Sequence, residues 1–250
     1  MKKILPAVVC AAALLLCGCR AGIGSNGMSS YDFSKMNTDF IQLKEPNEGD
    51  TIAIIDTDYG EIRAVLYEQY APNTTAAFIE RAESGEYDNK PIYAVMQNCY
   101  FMTGGYENSQ GNYTGRSSNK ELIDNEYTPD LWPFTGAMLS YSEKSGKSDA
   151  RWMICGSDRE NITQESINEL KDSVLDRDDN ERNKLLTLFD TFMEVGGAFG
   201  ASGFATVFGQ VYDGIDIVEQ LCTIPTADDG RATEDVFIKS VTISTYQAEE

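Results

Sequence analysis

The 250-residue chain contains no histidine at all. That absence excludes Ser-His and Cys-His nucleophilic catalysis, imidazole acid–base chemistry and histidine-ligated metals. Basic residues are scarce, 20 Lys and Arg against 40 Asp and Glu. Counterion release therefore cannot favour a phosphate backbone, which argues against a nucleic-acid partner. Six cysteines are present, none in a CxxC pair. Long apolar runs are missing except for one near the start, Ile4 to Leu16. At about 13 residues it falls short of the roughly 20 needed to span a bilayer.

Lys2 and Lys3 precede that run, and Cys17-Gly18-Cys19 follows it. This is the charged head, apolar centre and small-residue end of a secretory signal, residues 1–18. Leu16-Cys17-Gly18-Cys19 further resembles the lipobox of bacterial lipoproteins, which implies lipidation at Cys19 and an extracytoplasmic chain anchored to the cell membrane. Loss of residues 1–18 would leave 18 basic residues against 40 acidic ones. Cys99, Cys155 and Cys222 would then remain beside the lipidated Cys19. They allow either one disulfide, which an oxidising compartment permits, or three buried small apolar groups.

Residues 19–45 are rich in Gly, Ser, Asn and Met and are expected as a flexible tether. Folded patterning begins near Gly49, giving a domain over 46–250. Strands are expected at Thr51–Thr57 and Glu61–Tyr67, joined by Asp58-Tyr59-Gly60. A helix opens at Pro72-Asn73-Thr74-Thr75 and stops at Gly85. Short strands follow at Ile92–Gln97, Tyr100–Thr103, Ala137–Tyr141, Arg151–Cys155 and Thr206–Val211. A short helix at Ile215–Leu221 precedes a closing strand, Val236–Thr245. Many short strands with two helices suggest a mainly β, closed barrel.

Between two of these strands, 160–197 reads as an inserted helical hairpin. Ile167, Leu170 and Val174 share one face, and Leu185, Leu188, Phe189 and Phe192 another. Asn161 with Gln164 suggests the N-terminal cap, and Gly196-Gly197 the stop. Asp176-x-Asp178-x-Asn180 has calcium-loop spacing, but Glu181 replaces the required glycine and Thr187 the bidentate glutamate. No metal and no cofactor are expected. Gly196–Gly200 lacks the lysine of a phosphate loop. Acidic pairs such as Asp228-Asp229 read as solvated turns.

Six stretches, in order, resemble the cyclophilins. They are Tyr59-Gly-Glu-Ile62, Ala71-Pro-Asn-Thr74, Phe101-Met-Thr-Gly-Gly105, Gly136-Ala-Met-Leu-Ser140, Thr206-Val-Phe-Gly-Gln-Val211 and Glu234 to Ile243. The resemblance implies an eight-stranded antiparallel barrel capped by two helices, with an outer groove for Xaa-Pro segments of secreted or surface proteins. It also implies peptidyl-prolyl cis-trans isomerisation. Rotation about such a bond costs about 18–20 kcal/mol because amide resonance is lost. Catalysis needs an apolar seat for the ring and a donor aimed at the twisting amide.

On this pattern the family's arginine position falls on Val95, or on Ala94 with a one-residue insertion. Its glutamine position falls on Thr103 and its histidine position on Ala205. Ala201-Ser202-Gly203 replaces Leu-Asp-Gly, and Ser142–Ser148 replaces the Asn-Ala-Gly-Pro loop. Tyr100, Phe101 and Met153 match the pocket floor, with Trp152 beside them as barrel core. Arg151 stands at a groove glutamine. Peptide contacts are thus expected from Tyr100, Phe101, Thr103, Arg151, Met153 and Ala201. Three functions are open: a weak isomerase, a binding module without turnover, and an acidic scaffold.

Overall fold

The computed structural model describes residues 31–109, 111–114, 122–141 and 146–248. The signal peptide, Cys19 and part of the Ser142–Ser148 loop lie outside these residues. Alternating apolar residues form β1 (Thr51–Thr57) and β2 (Glu61–Leu66), an antiparallel pair. The Thr57 hydroxyl closes their turn, accepting from the Tyr59 and Gly60 N–H groups at 3.1 Å. Helix α1 (Pro72–Glu83) begins with proline, whose missing N–H costs nothing at a first helical position. Ala71 supplies no side-chain cap there.

The chain continues through β3 (Lys90–Pro91), β4 (Ala94–Met96), β5 (Tyr100–Gly104), β6 (Tyr106–Glu107), β7 (Tyr113–Thr114) and β8 (Ile123–Asp124). Strands β9 (Ala137–Tyr141), β10 (Lys147–Ser148) and β11 (Arg151–Cys155) come next, then α2 (Gln164–Asp172) and α3 (Asp179–Val195). Strand β12 (Val207–Asp213), α4 (Ile215–Leu221) and β13 (Phe237–Thr245) complete it.

Nine strands form one curled antiparallel sheet in the order β3-β13-β1-β2-β12-β9-β11-β5-β4. The expectation of eight strands in a closed barrel is corrected to nine segments. The sheet's two edges, β3 and β4, are separated in sequence by Ile92 and Tyr93 alone. Ile92 N–H donates to Val236 at 2.8 Å on one side, and Tyr93 N–H to Met102 at 3.2 Å on the other. The concave face buries Ala53, Ile55, Ile62, Ala64, Phe101, Ile154 and Phe208 against Phe78 of α1 and Val218 and Leu221 of α4. Trp152 joins this core, edge-on to Phe78 at 5.6 Å.

The insertion forms a second core. Ile167, Leu170, Val174, Leu185, Leu188, Phe189 and Phe192 meet Trp132, Phe134 and Phe199 there. Its first helix is capped by Thr163 with Ser166, two residues beyond the expected Asn161 and Gln164. Asn161 instead donates to the Asp158 carboxylate at 2.7 Å. Asp178 caps α3, accepting from the Asn180 and Glu181 N–H groups, which accounts for the acidic spacing read as a calcium loop.

Residues 31–45, expected as tether, are packed instead. Phe33, Met36 and Phe40 are buried in the insertion's core. Gln42, only 4% exposed, clasps the Trp132 backbone. Its carbonyl accepts the Trp132 N–H at 2.6 Å, and its amide donates to the Trp132 carbonyl at 2.8 Å and to Gln210 Oε1 at 2.9 Å. Burial of the three apolar side chains stabilises the arm by roughly 1.5–3 kcal/mol each before ordering costs. Among the described residues no helix is long and apolar enough to cross a membrane.

Candidate functional site

Successive side chains of a strand point to opposite faces. Pairing aligns Ala94 with Met102, Met102 with Met153, Met153 with Leu139, and Leu139 with Val207. These five residues therefore form one apolar row across β4, β5, β11, β9 and β12, on the convex face. Tyr100, Cys99, Leu131, Ala201 and Ala205 pack in the same cluster. Tyr93, Met96 and Tyr141 pack against it. Ala201 and Ala205 are delivered by the turn that leaves the insertion, where a 3-10 turn covers Phe199–Ala201.

The expected site residues divide between the two faces. Tyr100, Met153, Ala201 and Ala205 come together on the convex face, and Arg151, two residues before Met153, shares it. Phe101 and Val95, paired across β4 and β5, lie in the concave core with Ile154 and Trp152. Both lie on the face opposite the row. Thr103 is fully buried opposite Trp152, on the same face as Phe101, and donates its hydroxyl to the Pro91 carbonyl at 2.9 Å. Of the two alternatives for the arginine position, Ala94 is the one that faces outward. Met102 and Leu139, not singled out in the sequence, complete the row. Their strands are buried on both faces, which hides the alternation that would have found them.

Polar groups border the row on one side. Arg151 and Asp149 form a buried ion pair, with Nη2 to Oδ2 at 2.8 Å and Nε to Oδ1 at 3.1 Å. The Arg151 guanidinium lies 4.8 Å over the Tyr141 ring. Beyond Tyr141 runs a buried hydroxyl chain, Ser140 to Ser148 at 2.6 Å and Ser148 to Asn125 at 2.7 Å.

On the other side, Tyr31, Tyr127, Trp132, Ser202, Gly203, Ala205 and Val207 line a shallow cleft. Burial and the neighbouring Tyr127 push the Tyr31 hydroxyl well above its ordinary pKa. Glu126, at the cleft's rim, supplies the cap that α1 lacks. It accepts from the Asn73 N–H at 3.1 Å and the Thr74 N–H at 2.8 Å. Partial burial would raise its pKa, but these hydrogen bonds win and hold it below the usual range.

Cys99, Cys155 and Cys222 are buried and form no disulfide. Burial raises Cys155 and Cys222 far above a reactive range, so neither is a nucleophile at neutral pH. Among the described residues no three His, Cys, Asp or Glu side chains converge as a metal site. Met102, Leu139, Met153 and Val207 are each 7% exposed or less, and Ala94 at the end of the row is half-buried. Among the described residues no nucleophile–base pair lies on it.

Comparison with known proteins gives a consistent result. The sequence pattern described as "Cyclophilin type peptidyl-prolyl cis-trans isomerase/CLD" matches residues 52–243. A Staphylococcus aureus protein named as a peptidyl-prolyl cis-trans isomerase is 22% identical over 200 residues, covering 80% of this chain and 95% of its own. A Streptococcus pyogenes protein named as a bifunctional phosphatase/peptidyl-prolyl cis-trans isomerase is also 22% identical, over 82% of this chain and 41% of its own. Among solved structures, a Cryptosporidium parvum cyclophilin crystallised in the presence of the dipeptide Ala-Pro superposes with a TM-score of 0.56 at 16% identity. That likeness covers 78% of this chain and 99% of the other, and establishes the fold. With the match spanning most of the curled sheet and both capping helices, the chain belongs to the cyclophilin-type peptidyl-prolyl cis-trans isomerase family.

Proposed function

We propose that this protein is an extracytoplasmic, lipid-anchored prolyl-peptide binder of the cyclophilin type whose isomerase activity is weak. Membership of the cyclophilin-type family carries the reading; the row Ala94–Met102–Met153–Leu139–Val207 marks the face a proline ring would approach, and the outward position of β4 is an alanine with no donor. The lipobox-like Leu16-Cys17-Gly18-Cys19 supports anchoring through Cys19. Xaa-Pro segments of secreted or surface proteins are the substrate class.

Magnitude sets the expected rate. A preorganised donor to developing charge contributes about 2.7–4 kcal/mol, or 10²–10³ in rate. An alanine at the outward position of β4 forfeits that share, and alanines at 201 and 205 narrow the grip on the ring. Turnover should therefore lie at least about a hundredfold below that of a site with the donor in place. An assay of a prolyl tetrapeptide with the purified chain tests this, run alongside titration of the same peptide. Saturable binding with slow turnover supports the reading, and turnover near the diffusional ceiling opposes it.

A second reading is a binding module without turnover, in which the insertion presents the partner surface. Its aromatic core, independent of the sheet, favours it. Partner capture that survives deletion of 160–197 would argue against that version.

A further inference from the structure

The cleft at the Val207 end of the row is walled by aromatic rings. Tyr31 stands nearly perpendicular to Trp132, with ring centres 5.7 Å apart, and to Tyr127 at 6.2 Å. All three line the cleft, and no Lys or Arg does. Rings meeting at such angles form a box that attracts an organic cation through their quadrupoles. Glu126 lines the same cleft. Its carboxylate accepts from Asn73 and Thr74, and among the described residues it forms no ion pair with Lys or Arg. The N-terminal end of α1 offsets only about half of that charge. Ser202, 3% exposed, also lines the cleft, and among the described residues its hydroxyl has no hydrogen-bond partner. A buried hydroxyl is costly unless something bound supplies that partner. The enclosed space is about 10 Å³, room for one water-sized group. A primary ammonium is that size; a guanidinium and a trimethylammonium are larger.

We infer that this cleft takes the ε-ammonium of a lysine two or three residues from the proline of a bound segment. The peptide half of the inference rests on the prolyl-peptide reading given above; the ammonium site itself does not. Ala205 and Val207 belong both to the cleft and to the convex apolar cluster, so the two are continuous. Adjacent strands lie about 4.8 Å apart, and an extended peptide advances about 3.3 Å per residue. A proline over Leu139 or Met153, one or two strands from Val207, therefore brings a residue two or three positions away over the cleft. There the rings face the lysine's ammonium, Glu126 supplies the opposite charge and Ser202 an acceptor. Tyr31 lies outside the family match at residues 52–243, so this wall belongs to the chain's own arm. The net charge of −20 adds a long-range pull on basic segments.

The experiment uses the whole chain and two probes. Butylammonium is titrated while the indole N–H signals of the two tryptophans are followed by NMR. Trp132 lines the cleft, and Trp152, in the concave core, is the internal control. The expected result is a saturable shift at Trp132 and none at Trp152, with affinity lowered at least fivefold in Glu126→Gln and in Tyr31→Leu. No shift at Trp132, or one unchanged in a folded variant, overturns the inference. Prolyl hexapeptides carrying lysine, arginine or norleucine two or three residues from the proline are then compared for affinity. Lysine should bind at least fivefold tighter than either replacement. This comparison needs no variant, so it stands even if Tyr31→Leu undocks the arm. Equal gains from lysine and arginine would show attraction to the acidic surface alone and overturn the inference. Equal binding of all three peptides overturns it while leaving the prolyl-peptide reading intact. Absence of peptide binding with the Trp132 shift present removes the prolyl-peptide reading and the peptide half of the inference, and supports the ammonium site alone.

Discussion

Arginine placed at two adjacent positions of β4 should give opposite results. Val95 is 4% exposed and packs in the concave core opposite Phe101. Replacing it with arginine forfeits about 1.5–3 kcal/mol of valine burial. The guanidinium would meet Phe101, Ile154 and Trp152, none of which accepts a charge-assisted hydrogen bond from it. An uncompensated buried charge adds about 3–5 kcal/mol. The sum, about 5–8 kcal/mol, is comparable with the whole stability of a typical domain, about 5–15 kcal/mol. Ala94 is half-buried on the convex face beside Met102. An arginine there can lay its stem on the methionine and keep its head in water, for about 1 kcal/mol or less. Urea unfolding should show Val95→Arg unfolded or nearly so in water and Ala94→Arg close to the parent. Ala94→Arg should also raise prolyl turnover at least tenfold by restoring a β4 donor. Equal stability of the two variants would refute the assignment of faces.

Three further outcomes follow from single contacts. Gln42→Ala orphans the buried Trp132 N–H, while the Trp132 carbonyl keeps the Phe134 N–H at 2.8 Å, and should cost about 1–3 kcal/mol with faster amide exchange over 31–45. Exchange there at the parent rate would contradict the docked arm. Glu126→Gln should cost about 0.5–1 kcal/mol, since the site is partly open to solvent. Because its folded pKa is lowered, its contribution is present above the ordinary glutamate range and disappears as pH falls through the folded value. The parent and variant stability curves should therefore converge in acid and separate at neutral pH. Asp158 is the reverse case, raised by burial at a left-handed φ of +43° that asparagine tolerates. A raised acid pKa means stability falling as pH rises through the interval up to the folded value. Asp158→Asn should stabilise the protein at neutral pH and flatten that slope, as measured by melting temperature against pH.

Local chemistry made much of the fold legible. Proline at 72, glycines at 60, 85 and 196, and alternation along 51–57 and 237–245 place the hairpin, α1, α3 and the closing strand within a residue or two. The faces of the central strands were not legible. Residues 100–104 and 151–155 are buried throughout, so they show no alternation, and a shift of one residue moves every side chain to the other face. That is why Val95, Phe101 and Thr103 read as groove positions while Met102 and Leu139 went unseen. The arm was missed because small polar residues dominate it. Phe33, Met36 and Phe40 are buried, but no helix beyond the 3-10 turn Phe33–Lys35 spans them, so no period marked them in the sequence. Glu126 could not be linked to α1 from sequence, since 53 residues separate it from Asn73.

The central claim is that prolyl peptides lie on the convex apolar row. Titration of the methyl-labelled protein with a prolyl tetrapeptide, followed by NMR, tests it most directly. The account predicts saturable shifts at Ala94, Met102, Met153, Leu139 and Ala205, and little change at Phe189 or Leu188 of the insertion. Shifts confined to the insertion, or none at the row at saturating peptide, would contradict it.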